Sequence, residues 1–253
     1  MRQPALFLAL AAPLLVGASK PVLVPDVSAR QIEIRYSFTG AQLLLFGAIL
    51  YPGGRVPAKQ ADIAIVVKGP VQPIVVREKH KIAGIWMNAD SHRFRSAPSF
   101  YAIASSKPIE QLIDDRTAAI YELGLDSLQL SPGGGALPDK ERRFEAGLLD
   151  LRKRQGLYRQ NAKGVEISEG VLYRARIDIP SQVPVGTYTA ETFLIDDHRV
   201  VAAATRDIEI GKSGFERYVA LAARRHSFVY GLAAMLLSLG LGYAAGWAFA
   251  RRS

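Results

Sequence analysis

The chain has no cysteine in its 253 residues. That excludes a disulfide-stapled scaffold, a thiolate metal site and a cysteine nucleophile. Its four histidines, His80, His92, His198 and His226, show no His-x-His or His-x-x-x-His spacing, and no acidic calcium loop is present, so the chain is expected to carry neither metal nor cofactor. Gly-x-Ser-x-Gly, Ser-x-x-Lys and Gly-x-Gly-x-x-Gly are missing as well. Gly211-Lys212-Ser213 is not a phosphate loop, because the glycine required five residues earlier is Arg206. Asp114-Asp115 and Asp196-Asp197 suit a helix cap and a turn, since neighbouring carboxylates point apart in a strand. The expectation is a non-enzyme. A hydrolase would need His80, His92 or paired carboxylates gathered in a cleft.

What the chain does have is apolar mass: 49% apolar residues and a mean hydropathy of +0.09 beside 22% charge. The apolar residues clump at the two ends. Residues 1–18 combine Arg2, an apolar run from Pro4 to Val16 and a small-residue close, the three parts of a secretory signal. Residues 227–250 hold no charge, and as a helix would extend about 36 Å at ~1.5 Å per residue, so they are expected to form a C-terminal transmembrane helix. Arg224 and Arg225 flank it on one side, Arg251 and Arg252 on the other. Those charges balance, so the signal sets the orientation: residues 19–226 outside and the tail 251–253 in the cytoplasm. The expected location is the inner membrane, single-pass, with a periplasmic domain. Three of the 32 basic residues (Arg2, Arg251, Arg252) and none of the 23 acidic ones lie in the ends, so residues 19–226 carry +6. That excess suits anionic lipid headgroups or an acidic partner, and the location excludes nucleic acid.

Within 19–226 the pattern is mostly β. Gln31 to Phe38 alternates cleanly, and strands are expected at Ala41–Tyr51, Asp62–Lys68, Ile74–Arg77, Lys81–Asn88 and Ser99–Ser105. Glu78–His80 and Asp90–Pro98 are expected to separate them as turn and loop. Pro108 opens a helical pattern that ends at Gly124. Pro138 opens a second through about Gln160, with Phe144, Leu148, Leu151 and Tyr158 on one stripe and Arg152-Lys153-Arg154 off it. Strands resume with Val171–Ile179, a strand to Ile195 and a return from Arg199 to Ile210. Gly186-Thr187-Tyr188 resembles the tyrosine corner of immunoglobulin-like sandwiches. The expected fold is mainly β: an immunoglobulin-like β-sandwich with a helical insertion near 106–160 and the C-terminal transmembrane helix. Two domains split near residue 160 are the rival arrangement.

Two interaction surfaces follow. Ala234, Ser238, Gly242, Gly246 and Ala250 recur every four residues as a small-residue ridge for helix packing, against an integral membrane protein or a second copy of the chain. Trp86, Asn88, His92, Arg93, Arg95, Phe100 and Tyr101 are expected to form one aromatic and cationic rim for an anionic ligand or a partner.

The stretches Phe38-Thr39-Gly40-Ala41, Phe46-Gly47-Ala48-Ile49, Lys68-Gly69-Pro70, Ile82-Ala83-Gly84-Ile85-Trp86-Met87-Asn88, Pro98-Ser99-Phe100-Tyr101-Ala102 and Pro184-Val185-Gly186-Thr187-Tyr188, with Tyr230-Gly231, resemble the alphaproteobacterial "putative transmembrane protein" family. The resemblance implies a signal peptide, a periplasmic domain and one C-terminal membrane helix. It also implies association with polytopic sulfite-exporter-like permeases, and it carries over no catalytic residues. The expected role is that of an accessory to an integral membrane protein, with a periplasmic anion-binding or sensor module as the alternative.

Overall fold

Period-two alternation of apolar and polar residues builds the body of the protein. A computed structural model describes residues 20–34, 39–133, 137–212, 219 and 222–250. The expected signal segment 1–18, residues 35–38 of the first expected strand, residues 213–218, 220 and 221 of the expected connection to the C-terminal helix and the tail 251–253 lie outside the described residues. A four-stranded sheet runs in the order β1 (Val22–Val27), β3 (Gly40–Leu50), β11 (Leu172–Pro180), β10 (Val165–Ser168). A six-stranded sheet runs β2 (Gln31–Ile34), β13 (Arg199–Lys212), β12 (Gly186–Asp196), β4 (Asp62–Lys68), β7 (Tyr101–Ser105), β9 (Tyr158–Asn161). Their inner faces share one core. Tyr173, Ala175, Ile177 and Ile179 of β11 are buried, while Leu172, Arg174, Arg176 and Asp178 between them are exposed, as the alternation requires. Residues before and after 160 interleave in both sheets: β11 pairs with β3, and β12 with β4.

Helices cover part of this body. The pattern expected from Pro108 to Gly124 breaks into α1 (Ile109–Leu112) and α2 (Asp115–Tyr121). The break falls at Ile113, which is extended, and at Asp114, whose carboxylate accepts the Thr117 N–H at 2.9 Å as an N-cap. Glu122 then ends α2 in the left-handed region. Tyr101 Oη donates to the Glu122 carbonyl at 2.6 Å and accepts from the Gly124 N–H at 3.0 Å, tying this segment to β7. Lys68 Nζ lies 2.7 Å from Glu122 Oε2 and 3.2 Å from Glu191 Oε2. Burial acts to lower the Lys68 pKa, but the two carboxylates outweigh it and hold it above the usual lysine value. The second helix, α3 (Pro138–Arg154), starts at its proline and stops short of Gln160 at Gly156 (φ 68°). Tyr158 therefore belongs to β9, not to the helical stripe, and donates to the Pro98 carbonyl at 2.7 Å.

One part of the expected fold class is corrected. Tyr188 Oη does donate to the Pro184 carbonyl at 2.8 Å, so the corner exists as a local device. The six-stranded sheet carries a parallel pair at each edge, β2 with β13 and β7 with β9, and its other pairs are antiparallel. Residues 227–250 do form one helix, α4 (Ser227–Ala250). Among the described residues, however, no helix is long and apolar enough to cross a membrane, so the transmembrane assignment of 227–250 is overturned.

Gly47 is the tightest point of the four-stranded sheet. It pairs with Pro25 on one side and Tyr173 on the other, and a Cβ there would collide with Tyr173 Oη and the Val24 carbonyl oxygen. Gly47→Ala is expected to cost about 1–3 kcal/mol from overpacking, which in a domain of this size lowers Tm by roughly 3–10 °C. Thermal unfolding followed by circular dichroism checks this, and an unchanged Tm refutes it.

Candidate interaction surface

A third sheet stands apart from the two-sheet core: a long hairpin of β5 (Val71–Ile82) and β6 (Ile85–Pro98), edged by β8 (Ser131–Pro132). The expected turn at Glu78–His80 and loop at Asp90–Pro98 are both strand. The reversal falls instead at Ala83-Gly84, with Ile82 paired to Ile85. Both turn residues have positive φ, 49° at Ala83 and 86° at Gly84, the signature of a two-residue type I′ hairpin turn. Glycine adopts this freely. Alanine in place of the usual Asn or Asp costs about 1–2 kcal/mol.

The base of the hairpin is held by α3. Ile74, Val76, Phe94 and Ala97 pack against Phe144 and Leu148 in a small core of their own. Ion pairs close its far end. Asp90 lies 2.5 Å from Lys140 Nζ and 3.0 Å from Arg143 Nη2, and Glu78 Oε2 lies 3.2 Å from the same guanidinium. The hydrogen bond from Lys140 holds the Asp90 carboxyl below the usual carboxylate range. Beyond this clamp every residue from Lys79 to Ala89 is exposed. Ala83 lies five residue steps beyond Glu78, so the free tip reaches about 16 Å at ~3.3 Å per residue. It presents Ile82, Ile85 (67% exposed), Trp86 (65% exposed) and Met87 to solvent.

The seven expected rim residues are divided by this geometry. Trp86 and Asn88 lie on the exposed tip. His92 is only 6% exposed, packed edge-on to Phe94 at 4.9 Å and beside Phe144 at 5.8 Å, with Nε2 lacking a hydrogen-bond partner among the described residues. Arg93 and Arg95 are exposed on the opposite hairpin face. Phe100 and Tyr101 are fully buried in the main core, the Phe100 ring tilted against that of Tyr188. The single rim is therefore corrected: strand alternation sends its members to opposite faces, and the start of β7 takes the last two inside. His80 at the tip and His92 under α3 are not gathered in one cleft.

Sequence reasoning missed Lys79, Lys81, Ile82, Ile85 and Met87. The uncharged run Ile82 to Met87, five apolar residues and Gly84 between Lys81 and Asn88, was the available signal, hidden by placing the turn too early. A groove of about 430 Å³ between β5 and α3 is lined by Arg77, Glu78, Arg143, Asp150 and Arg154 among others. Two of its three arginines are taken up, Arg154 by Asp150 and Arg143 by Glu78 and Asp90, and the carboxylates of Glu78 and Asp150 line it as well, which makes it a poor anion site. Among the described residues no group of three or more His, Cys, Asp or Glu could hold a metal ion.

The second surface is α4. Its large side chains are exposed, Phe228 by 82% and Leu237 by 66%, and Ala234, Ser238 and Gly242 of the expected ridge lie exposed among them. The side chains at Gly246 and Ala250 lie outside the described residues. A helix apolar on all sides is stable only when something apolar covers it.

These features define a class: a mainly β body carrying two uncovered apolar elements, a hairpin tip and a helix. A family model described as "Putative transmembrane protein (Alph_Pro_TM)" matches residues 22–251, and the chain belongs to that family, whose label is consistent with association with a membrane. Neither a curated protein nor a solved structure matches the chain.

The clamp sets a pH dependence. A carboxyl whose folded pKa is depressed contributes stability that is fully present above its unfolded pKa of ~3.9 and is lost as pH falls through the folded value. Attachment of the hairpin to α3 is therefore expected to hold from pH 8 to 5 and to loosen below about pH 4. Asp90→Asn is expected to reproduce the loosening at pH 7, read as faster amide hydrogen exchange in 85–98 with little change in β11 and β12. Unchanged exchange in 85–98 refutes the clamp.

Proposed function

We propose that this is a non-enzymatic, membrane-associated accessory protein, its β body on the periplasmic side of the inner membrane, acting through contact with an integral membrane protein. The observation that carries this reading is α4, whose apolar side chains nothing else in the described chain covers. Membership of a family labelled transmembrane supports the membrane as the place where such a cover is found. The small residues Ala234, Ser238 and Gly242 give α4 one face on which another helix can approach closely. A polytopic permease of the sulfite-exporter type is the partner the family resemblance suggests. The anion-binding alternative loses its motive, since the residues meant to form its rim are divided between tip, hairpin faces and core.

Replacing Ser238 with a photo-crosslinking residue in the full chain tests the reading in native membranes. One integral membrane protein, captured reproducibly from positions 234, 238 and 242 and weakly from 237, is the expected result. Capture of a second copy of the chain makes α4 a self-association element and overturns the accessory role. Capture of nothing but lipid does the same.

A further inference from the structure

The β5–β6 tip is built as if to enter something, and its chemistry narrows what. Cross-strand pairing puts Ile82, Ile85, His80 and Met87 on one face of the hairpin, and Lys79, Lys81, Trp86 and Asn88 on the other. Apolar side chains therefore leave the tip on both faces. A protein partner docking on one face would leave the other wet, whereas a fluid apolar phase surrounds the whole tip. The charges are sorted too. From Lys79 to Ala89 there is no acidic residue. The two acids at the base, Glu78 and Asp90, are taken up by Lys140 and Arg143 of α3. Lys79 and Lys81 have no ion pair among the described residues and stand one and three residues outside that neutralised base. The left-handed Ala83 completes the pattern: Asn or Asp would relax the turn but would put a polar group at its apex.

We propose that this tip is an interfacial anchor: Ile82, Ile85, Trp86 and Met87 enter the headgroup–acyl boundary of an anionic bilayer while the Lys79 and Lys81 ammonium groups sit among its phosphates. The three residues from His80 to the turn span about 10 Å, the depth to which interfacial elements sink. Tryptophan and lysine are the side chains whose apolar stem and polar end match that boundary. The inference deepens the membrane-association reading and rests on it. It adds a second contact, far in sequence from α4, that turns one side of the β body toward the lipid.

The chain has two tryptophans, Trp86 and Trp247, so full-length Trp247→Phe protein reports from the tip alone. It is reconstituted into vesicles of phosphatidylglycerol with phosphatidylcholine, or of phosphatidylcholine alone, each with brominated acyl chains. The anchor predicts blue-shifted Trp86 emission and quenching by the brominated chains in the anionic vesicles, with a weaker response in neutral ones. Lys79→Glu with Lys81→Glu is expected to cut the apparent partition of the tip more than tenfold, taking about fivefold for each lysine near an anionic surface. Unchanged circular dichroism confirms that these exposed substitutions leave the fold intact. If the protein floats with vesicles while Trp86 stays wet and unquenched, the anchor is overturned and membrane association stands. If it does not float at all, both fall. An equal response in neutral vesicles, or shielding of Trp86 only in native membranes, overturns the anionic lipid surface as occupant, the latter in favour of a protein.

Discussion

Strand β4 is dry on both faces: Ile63, Ala64, Ile65, Val66 and Val67 are all fully buried. In a sheet with one wet face, alternate residues would reach water, so this strand demands cover on both sides. The four-stranded sheet supplies one cover, and the segment carrying α1 and α2 supplies the other, drawn down by Leu112, Ile113, Leu123 and Leu125 in the shared core. Burial on this scale, at about 25 cal/mol per Å² of apolar surface, gives a cysteine-free domain its stability. The polar groups on the cover are satisfied in place. Tyr101 Oη serves both the Glu122 carbonyl and the Gly124 N–H, and Lys68 takes two carboxylates at the margin.

Because the body is closed in this way, its surface elements stand out by contrast. The hairpin leaves the core right after β4, through Gly69 and Pro70, and returns to it at Ser99 and Phe100. Its own small core with α3 holds only four fully buried apolar residues. That is enough to fix its base and too little to draw in its tip. The ion pairs of Asp90 and Glu78 with α3 mark the boundary between the two, and they are partly exposed, so they orient the hairpin more than they stabilise it.

Most of the β body was legible in the sequence because alternation is a local signal. The faces of β11, the span of β4 and the Gly-x-Tyr corner all follow from residue order. The hairpin was misread because Glu78 to His80 looks like a polar break, and only the helix opposite shows that Glu78 is a partnered residue in a continuing strand. The break between α1 and α2 turned on one cap, since Asp114 competes for the Thr117 N–H that a continuous helix would use otherwise. The expected rim failed for a different reason. Seven residues within sixteen positions are close in sequence, but an extended chain spreads them over about 50 Å and two faces, and β7 then pulls the last two into the core. Sequence proximity gathers side chains on a helix turn or in a loop, and separates them along a strand.

The turn at Ala83-Gly84 shows how far the tip departs from what folding alone would select. A type I′ turn favours Asn or Asp at its first position because their side chains tolerate φ above zero and bond locally. Alanine keeps the strain and forgoes that bond, at a position where a solvent-facing polar residue would fit with no neighbour in the way, since a Cβ added even at Gly84 meets nothing within 4 Å. Neither the hairpin's packing nor its pairing gains from five apolar residues at its end. What gains is contact with an apolar phase outside the chain, the same requirement that the uncovered side chains of α4 impose from the other end of the sequence.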